Sequence, residues 1–234
     1  MADRIPFHNR GERMSRIDGF SDVVFGFALT LLVVSLEVPH TYGDLINSLR
    51  GFLPFAICFA ILIQIWHTHY VFFRRYGLED TPVILLNCVL LFVVLLYVYP
   101  LKFLWRLLIE GAHENFSPHQ ARVLLTFYGA GFAAIWIVLY MMFRVAYSRR
   151  NELGLNLVEV TDTRQELAMC LSQAGVGVFA VLLALVLPDR IVGLSGLSYM
   201  LLGVTNTWVG AHFGKQRRVM EDRMLKAKSA AVPV

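Results

Sequence analysis

Charge is what this sequence has least of. Only 16% of its 234 residues are charged while 57% are hydrophobic, and a soluble domain of this size carries about 25% charged residues. The scarcity excludes an ordinary soluble domain, because the apolar residues arrive in blocks of about 20, the length a helix needs to cross ~30 Å of hydrocarbon. Cysteine is scarce too. Cys58, Cys88 and Cys170 stand far apart inside apolar segments, which excludes a disulfide framework or a metal-ligand spacing and reads them as small buried apolar residues. No cleavable signal peptide is expected, since the first apolar run ends in Ser-Leu-Glu-Val-Pro without a small-residue cleavage site.

What is present is six candidate spans, at about 20–38, 50–72, 82–104, 121–143, 166–187 and 192–213. Pro39, Pro82, Pro118 and the Pro188-Asp189 pair mark the joins. Ser117-Pro118 opens the fourth span as a helix start, and Thr161-Asp162-Thr163 precedes the fifth. The expected fold is thus an all-α integral membrane protein, one domain of six transmembrane helices over residues 1–234 with a basic tail at 214–234. Most of the 21 basic residues fall in the N-terminal segment, the second and fourth loops and that tail. The bias places both termini in the cytoplasm of a multi-pass plasma-membrane protein. It also makes the tail attractive to anionic lipid, and a nucleic-acid partner is not needed to explain the positive balance. No internal repeat is visible, and six helices without a duplicated half suit a symmetric oligomer better than a self-contained transporter.

The first span is the odd one. Arg16, Asp18, Ser21 and Asp22 crowd its start, and only 14 residues separate Asp22 from Glu37. A charge at the bilayer centre costs about 2.5–3.5 kcal/mol on insertion scales, so such a group marks a site or a helix end. Asp18, Ser21 or Asp22 could cap the helix, where the dipole favours a carboxylate, but a cap uses one side chain and here there is a surplus. Partners stand at the same depth: Trp66 and His69 on the second span can both satisfy a buried carboxylate, or else sit in the interfacial aromatic belt. Asn87 and Asn206 are amides in apolar surroundings, of the kind that pin helices together. Val23, Phe27, Thr30 and Val34 form one stripe of a helix. Thr30 either bonds back to a carbonyl one turn earlier on a lipid-facing surface, or faces a central axis and a permeating ion.

The run from Arg16 through Phe20-Ser21-Asp22 matches an Arg-x-x-x-Phe-Ser-Asp signature, followed by "TLLVVSLEVP", by "IWHTH" in the second span, and by Asn87 and Pro100 in the third. In these features the chain resembles the endolysosomal potassium channel family (transmembrane protein 175 type) over about residues 12–106, whose bacterial members are single six-span repeats. The resemblance implies a homotetramer in which four copies of the first span line a central pore that prefers potassium to sodium. Sodium or protons are further possible permeants. Neither the family nor this chain has a Thr-Val-Gly-Tyr-Gly filter, and selection is attributed to rings of apolar side chains beside a hydroxyl ring. By position Phe27 would be the constriction, Thr30 the hydroxyl ring against which potassium sits, and Leu31 and Val34 further rings. Phe27 departs from the family, which has Ile or Leu there, and four phenyl rings could plug the axis or tilt to offer their faces to a cation. Arg16, Ser21 and Asp22 would bond with Trp66 and His69 to anchor the helix beside Phe20.

The alternative to a channel is a small secondary transporter or proton-coupled exchanger, which needs ionisable groups near the midplane and broken helices. The ionisable groups here gather at one edge instead. A membrane enzyme would need more than the scattered His67, His69, His113, His119 and His212, which form no HExxH pair or acid cluster. No cofactor and no bound metal is expected. Gly129-x3-Ala133 and Gly210-x3-Gly214 are small-residue patterns that let scaffold helices approach closely.

Overall fold

The computed structural model describes residues 5–11, 15–34, 52–110 and 117–230. These residues form six α-helices in chain order: α1 Arg16–Val34, α2 Phe52–Tyr76, α3 Thr81–Glu110, α4 Pro118–Ser148, α5 Leu157–Val186 and α6 Leu201–Ala230. A 3-10 segment, Asp189–Met200, lies between the last two. Among the described residues there is no β-strand. Four helical stretches among the described residues are long and apolar enough to cross a membrane: Phe55–Tyr76, Thr81–Val98, His119–Ser148 and Leu157–Val186.

The helix starts are set by side chains that the sequence places just before them. Ser117 caps α4: its hydroxyl accepts from Gln120 N at 3.2 Å while the Gln120 side chain accepts from Ser117 N at 2.9 Å, with Pro118 at the first helical position. The reciprocal pair satisfies two of the backbone donors that a helix start leaves open. Asn156 and Glu159 build the same box on α5.

This second cap explains a departure from the expected fifth span. The helix begins nine residues before 166, so Thr161-Asp162-Thr163 lies inside α5 rather than ahead of it, and all three are buried. A 30-residue helix is about 45 Å long against ~30 Å of hydrocarbon, so its first turns project past the apolar layer and can carry Glu159, Asp162 and Glu166. The expected sixth span is likewise divided. Residues 189–200, with Gly193, Ser195, Gly196 and Ser198, take the tighter 3-10 form, and α6 runs from Leu201 to Ala230, so residues 214–230 of the expected tail are helical.

The core is aromatic and tightly fitted. Trp136, Phe72, Tyr76, Phe143 and Tyr128 are buried between α2, α3, α4 and α5. Small residues bring α4 against α5: a Cβ on Gly129 would meet Val181 Cγ2 at 2.7 Å, and one on Gly177 would meet Ala133 N at 3.0 Å. In Gly210 and Gly214 the same pattern has no such use, since a Cβ there meets nothing within 4 Å. Cys58 and Cys170 are buried, but Cys88 is exposed, on the outer face of α3 rather than in the core. That face also exposes Leu85, Val89, Phe92 and Leu96.

Candidate functional site

The start of α1 is organised by a pair the sequence left open. Ser15 N donates to Asp18 Oδ2 at 3.2 Å and Asp18 N donates to Ser15 Oγ at 3.1 Å, a reciprocal cap. Asp18 is therefore the capping acid, and Ser21 and Asp22 are released for contacts with other helices.

Those contacts form a buried neutral chain. The Ser21 hydroxyl donates to Ile17 O at 2.7 Å and accepts from Asn87 Nδ2 at 2.9 Å. Asn87 Oδ1 lies 2.8 Å from His69 Nε2 and so accepts the hydrogen that nitrogen carries. Ser21 is 0% exposed, Asn87 0% and His69 2%, and all three meet their bonds without a formal charge, which is the only inexpensive way to bury them. The His69 ring packs between Phe25 and Phe73, with centroids 5.5 Å and 4.8 Å away. Beside this chain Trp66 Nε1 donates to Asp22 Oδ1 at 2.8 Å. The acid of the signature thus has a donor on α2, while His69 reaches Ser21 only through Asn87. Arg16 differs from the expectation: it is exposed and contacts neither Trp66 nor His69 among the described residues.

The two faces of α1 have opposite surroundings. Ser21, Phe25, Ala28 and Leu32 are buried against α2 and α3, a stripe at spacings of three and four. The other stripe, Arg16, Phe20, Val23, Phe27, Thr30 and Leu31, is exposed, with Phe27 at 63%. Thr30 Oγ1 donates to Phe27 O at 2.8 Å, leaving its oxygen lone pairs free. Val34 closes the helix, and its side chain lies outside the described ones.

A second construction, without a signature in the sequence, holds the N-terminal strap of residues 5–11. Gly11 N and Arg10 N donate to the carbonyls of Arg74 and Arg75, capping the end of α2. Only glycine fits at 11, since a Cβ would lie 2.4 Å from Phe73 O. The Arg10 guanidinium donates to Leu153 O at 2.8 Å and pairs with Glu159 at 3.0 Å, and His8 N donates to Glu159 Oε1 at 2.8 Å. Arg75 pairs with Glu166 at 2.9 Å, while Arg217 of α6 pairs with Asp162 at 2.9 Å and donates to Ile5 O. One signal pointed here: Asn156 and Glu159 at cap spacing ahead of an apolar run. Between strap, α1 and α2 lies a cavity of about 440 Å³ lined by Asn9, Gly11, Asp18, Asp22, His69 and Arg74. Three or more His, Cys, Asp or Glu side chains placed to share a metal ion are not found among the described residues.

Residues 16–97, which hold α1, α2 and most of α3, match the family model for the endosomal/lysosomal potassium channel TMEM175. The chain is 40% identical over 233 residues to a protein of Marivirga tractuosa named "Potassium channel", covering 92% of this chain and 94% of that one. The chain belongs to the TMEM175 potassium channel family. Its fold resembles the crystal structure of a variant of the potassium channel MtTMEM175 in complex with a nanobody–MBP fusion protein, at 38% identity and a TM-score of 0.77. That likeness covers 91% of this chain and 99% of the other. A lysosomal potassium-selective channel TMEM175 homolog from Chamaesiphon minutus is similar at 26% identity and a TM-score of 0.55, over 86% and 96% of the two chains. The family is one of ion channels and not of enzymes, and with four apolar helices of spanning length the chain is a multi-pass membrane protein.

Proposed function

We propose that this chain is a potassium-selective cation channel in which four copies of α1 surround the conduction axis. One observation carries the reading: α1 buries one stripe against its own subunit and leaves Phe20, Val23, Phe27, Thr30 and Leu31 exposed among the described residues. A stripe of that kind is what a helix presents to its symmetry mates around an axis. Membership of a family whose relatives are named potassium channels supports it.

In this reading a ring of Phe27 side chains is the constriction and replaces a carbonyl filter. Thr30 follows one turn on. With its hydrogen given to Phe27 O, the hydroxyl oxygen can only accept, which suits a partly dehydrated cation. Leu31 and Val34 continue the apolar wall, which gates by dewetting. Phenyl faces turned to the axis would attract a cation, and edges turned to it would plug the path. Sodium and protons are minor permeants. Ser21, Asp22, Trp66 and His69 act as fasteners of the pore helix with Asn87 between them, and Arg16 and Phe20 face the axis or a neighbouring copy. The basic residues of the N-terminal segment, the second and fourth loops and α6 put both termini in the cytoplasm, and those of α6 hold that surface near anionic lipid of the plasma membrane.

The test is potassium against sodium flux from liposomes loaded with the purified protein, for wild type beside Phe27→Ile. Faster potassium than sodium efflux in the wild type is the expected result. Conduction by Phe27→Ile alone would make Phe27 a plug, and no flux from either at any voltage or pH would remove the pore assignment.

A further inference from the structure

Tyr147, in the last turn of α4, is held by two arginines. The guanidinium carbon of Arg150 lies 5.0 Å from the centre of its ring and that of Arg164 lies 5.6 Å away. Arg164 also donates from Nε at 3.0 Å and from Nη2 at 2.8 Å to the Tyr147 hydroxyl. Neither arginine pairs with a carboxylate among the described residues, whereas Arg149, next to Arg150 in sequence, is taken by Asp80. Two like charges thus converge on a neutral phenol, which compensates them only in part. Among the described residues no carboxylate completes the arrangement.

A second observation says where the anion comes from. Arg164 continues the outer stripe of α5 formed by Leu157, Leu171, Val178 and Leu185, each seven residues from the next or from Arg164, and all exposed. The neighbouring stripe of α4 exposes Val123, Phe127, Ile137 and Met141 and then ends in Arg144, exposed and also without an acid partner among the described residues. From Leu185 to Arg164 and from Val123 to Arg144, two apolar outer faces of spanning length therefore meet guanidinium groups near one end, the layout of an acyl chain and its headgroup. The basic part of α6 is less suited, because Glu221 and Asp222 interrupt it.

We propose that Arg150 and Arg164, spaced by Tyr147, bind the phosphate of an anionic phospholipid whose acyl chains lie along the outer faces of α4 and α5. The planar fork of arginine matches phosphate oxygens two at a time. The inference rests on the membrane-spanning character of the helices and not on the pore. The flux test and the lipid test can therefore fail independently.

The experiment is native mass spectrometry of the purified protein in detergent with phosphatidylglycerol or phosphatidylcholine added at equal concentration. Wild type should retain phosphatidylglycerol in preference. Arg150→Gln with Arg164→Gln should lower that retention roughly thirtyfold, by the loss of two basic groups at a lipid surface. Arg149→Gln, which removes a neighbouring charge already taken by Asp80, should leave it unchanged. Should the glutamine pair not fold, Arg150→Lys with Arg164→Lys keeps both charges without the forks and should still lose retention. Equal retention of the two lipids, retention unaffected by either α4–α5 pair, an equal loss from Arg149→Gln, or displacement by inorganic phosphate would each overturn the proposal.

Discussion

The cluster that fastens α1 is neutral and dry, whereas the clasp that holds the N-terminal strap a few residues away is built from ion pairs at a half-wet rim. In the first, Ser21, Asn87 and His69 pass hydrogen bonds along a line with no formal charge and almost no exposure. In the second, Glu159 is 1% exposed yet charged, and its partner Arg10 is 17% exposed. The difference teaches what each can tolerate. A neutral line can be replaced wholesale by apolar side chains of similar shape at little cost, because nothing charged is left behind. An ion pair with one buried member cannot lose that member's partner, or that member, without stranding the other.

The largest effect should therefore come from the clasp. Glu159 accepts from His8 N, from Asn156 N and from Arg10, so Glu159→Ala removes a helix cap, a strap anchor and the counter-charge of Arg10 together. Breaking a buried pair from one side costs about 3–5 kcal/mol. The expected outcome is a marked fall in the melting temperature of the purified protein in detergent, with faster proteolysis ahead of α1. An effect smaller than that of the α1 cluster would reverse the comparison.

Asn87→Leu comes next. It leaves Ser21 still bonded to Ile17 O but orphans the His69 Nε2 hydrogen, at about 1–3 kcal/mol. The sharper measurement is the cycle with His69→Phe: the double variant should recover much of the loss, since both polar partners are then gone. Strict additivity in melting would show that the two residues do not act through their mutual bond.

How much of this could be read from residues alone depends on the range of the interaction. The start of α4 was legible because Ser117, Pro118 and Gln120 are local neighbours and their geometry follows from spacing. The residues crowding the start of α1 were legible as a group, yet their division of labour was not. Asp18 takes the cap because Ser15 lies three residues before it, and Asn87 takes the central place because α3 passes between Ser21 and His69, which is a matter of packing. The strap was invisible for a similar reason. Two of its bonds run from the backbone of Arg10 and Gly11 to the end of α2, more than 60 residues away, and the Arg10 guanidinium meets Glu159 across 149 residues of sequence, so no local spacing pairs them. The bend of residues 189–200 into a 3-10 segment was missed because hydropathy alone does not separate that form from an α-helix.

The smallest expected effect belongs to an ion pair in neither cluster, and it calibrates the other two. Arg149 Nη2 lies 2.7 Å from Asp80 Oδ2 where α3 begins. The hydrogen bond from that guanidinium, which stays charged throughout, holds the Asp80 carboxyl below its ordinary value of 3.8. A carboxyl lowered on folding adds stability that is present in full above the ordinary value and disappears as pH falls through the lowered one. Both partners reach solvent, so screening keeps the contribution small. Asp80→Asn should melt slightly below wild type at neutral pH and in low salt, and the gap should narrow as pH falls below 3.8 and close in about 1 M salt, where the Debye length is about 3 Å. The gap between wild type and Glu159→Ala should persist in that salt, because the buried carboxylate is shielded from mobile ions. If both gaps close together, the clasp is a surface feature like Asp80–Arg149, and burial is not what separates the two kinds of cluster.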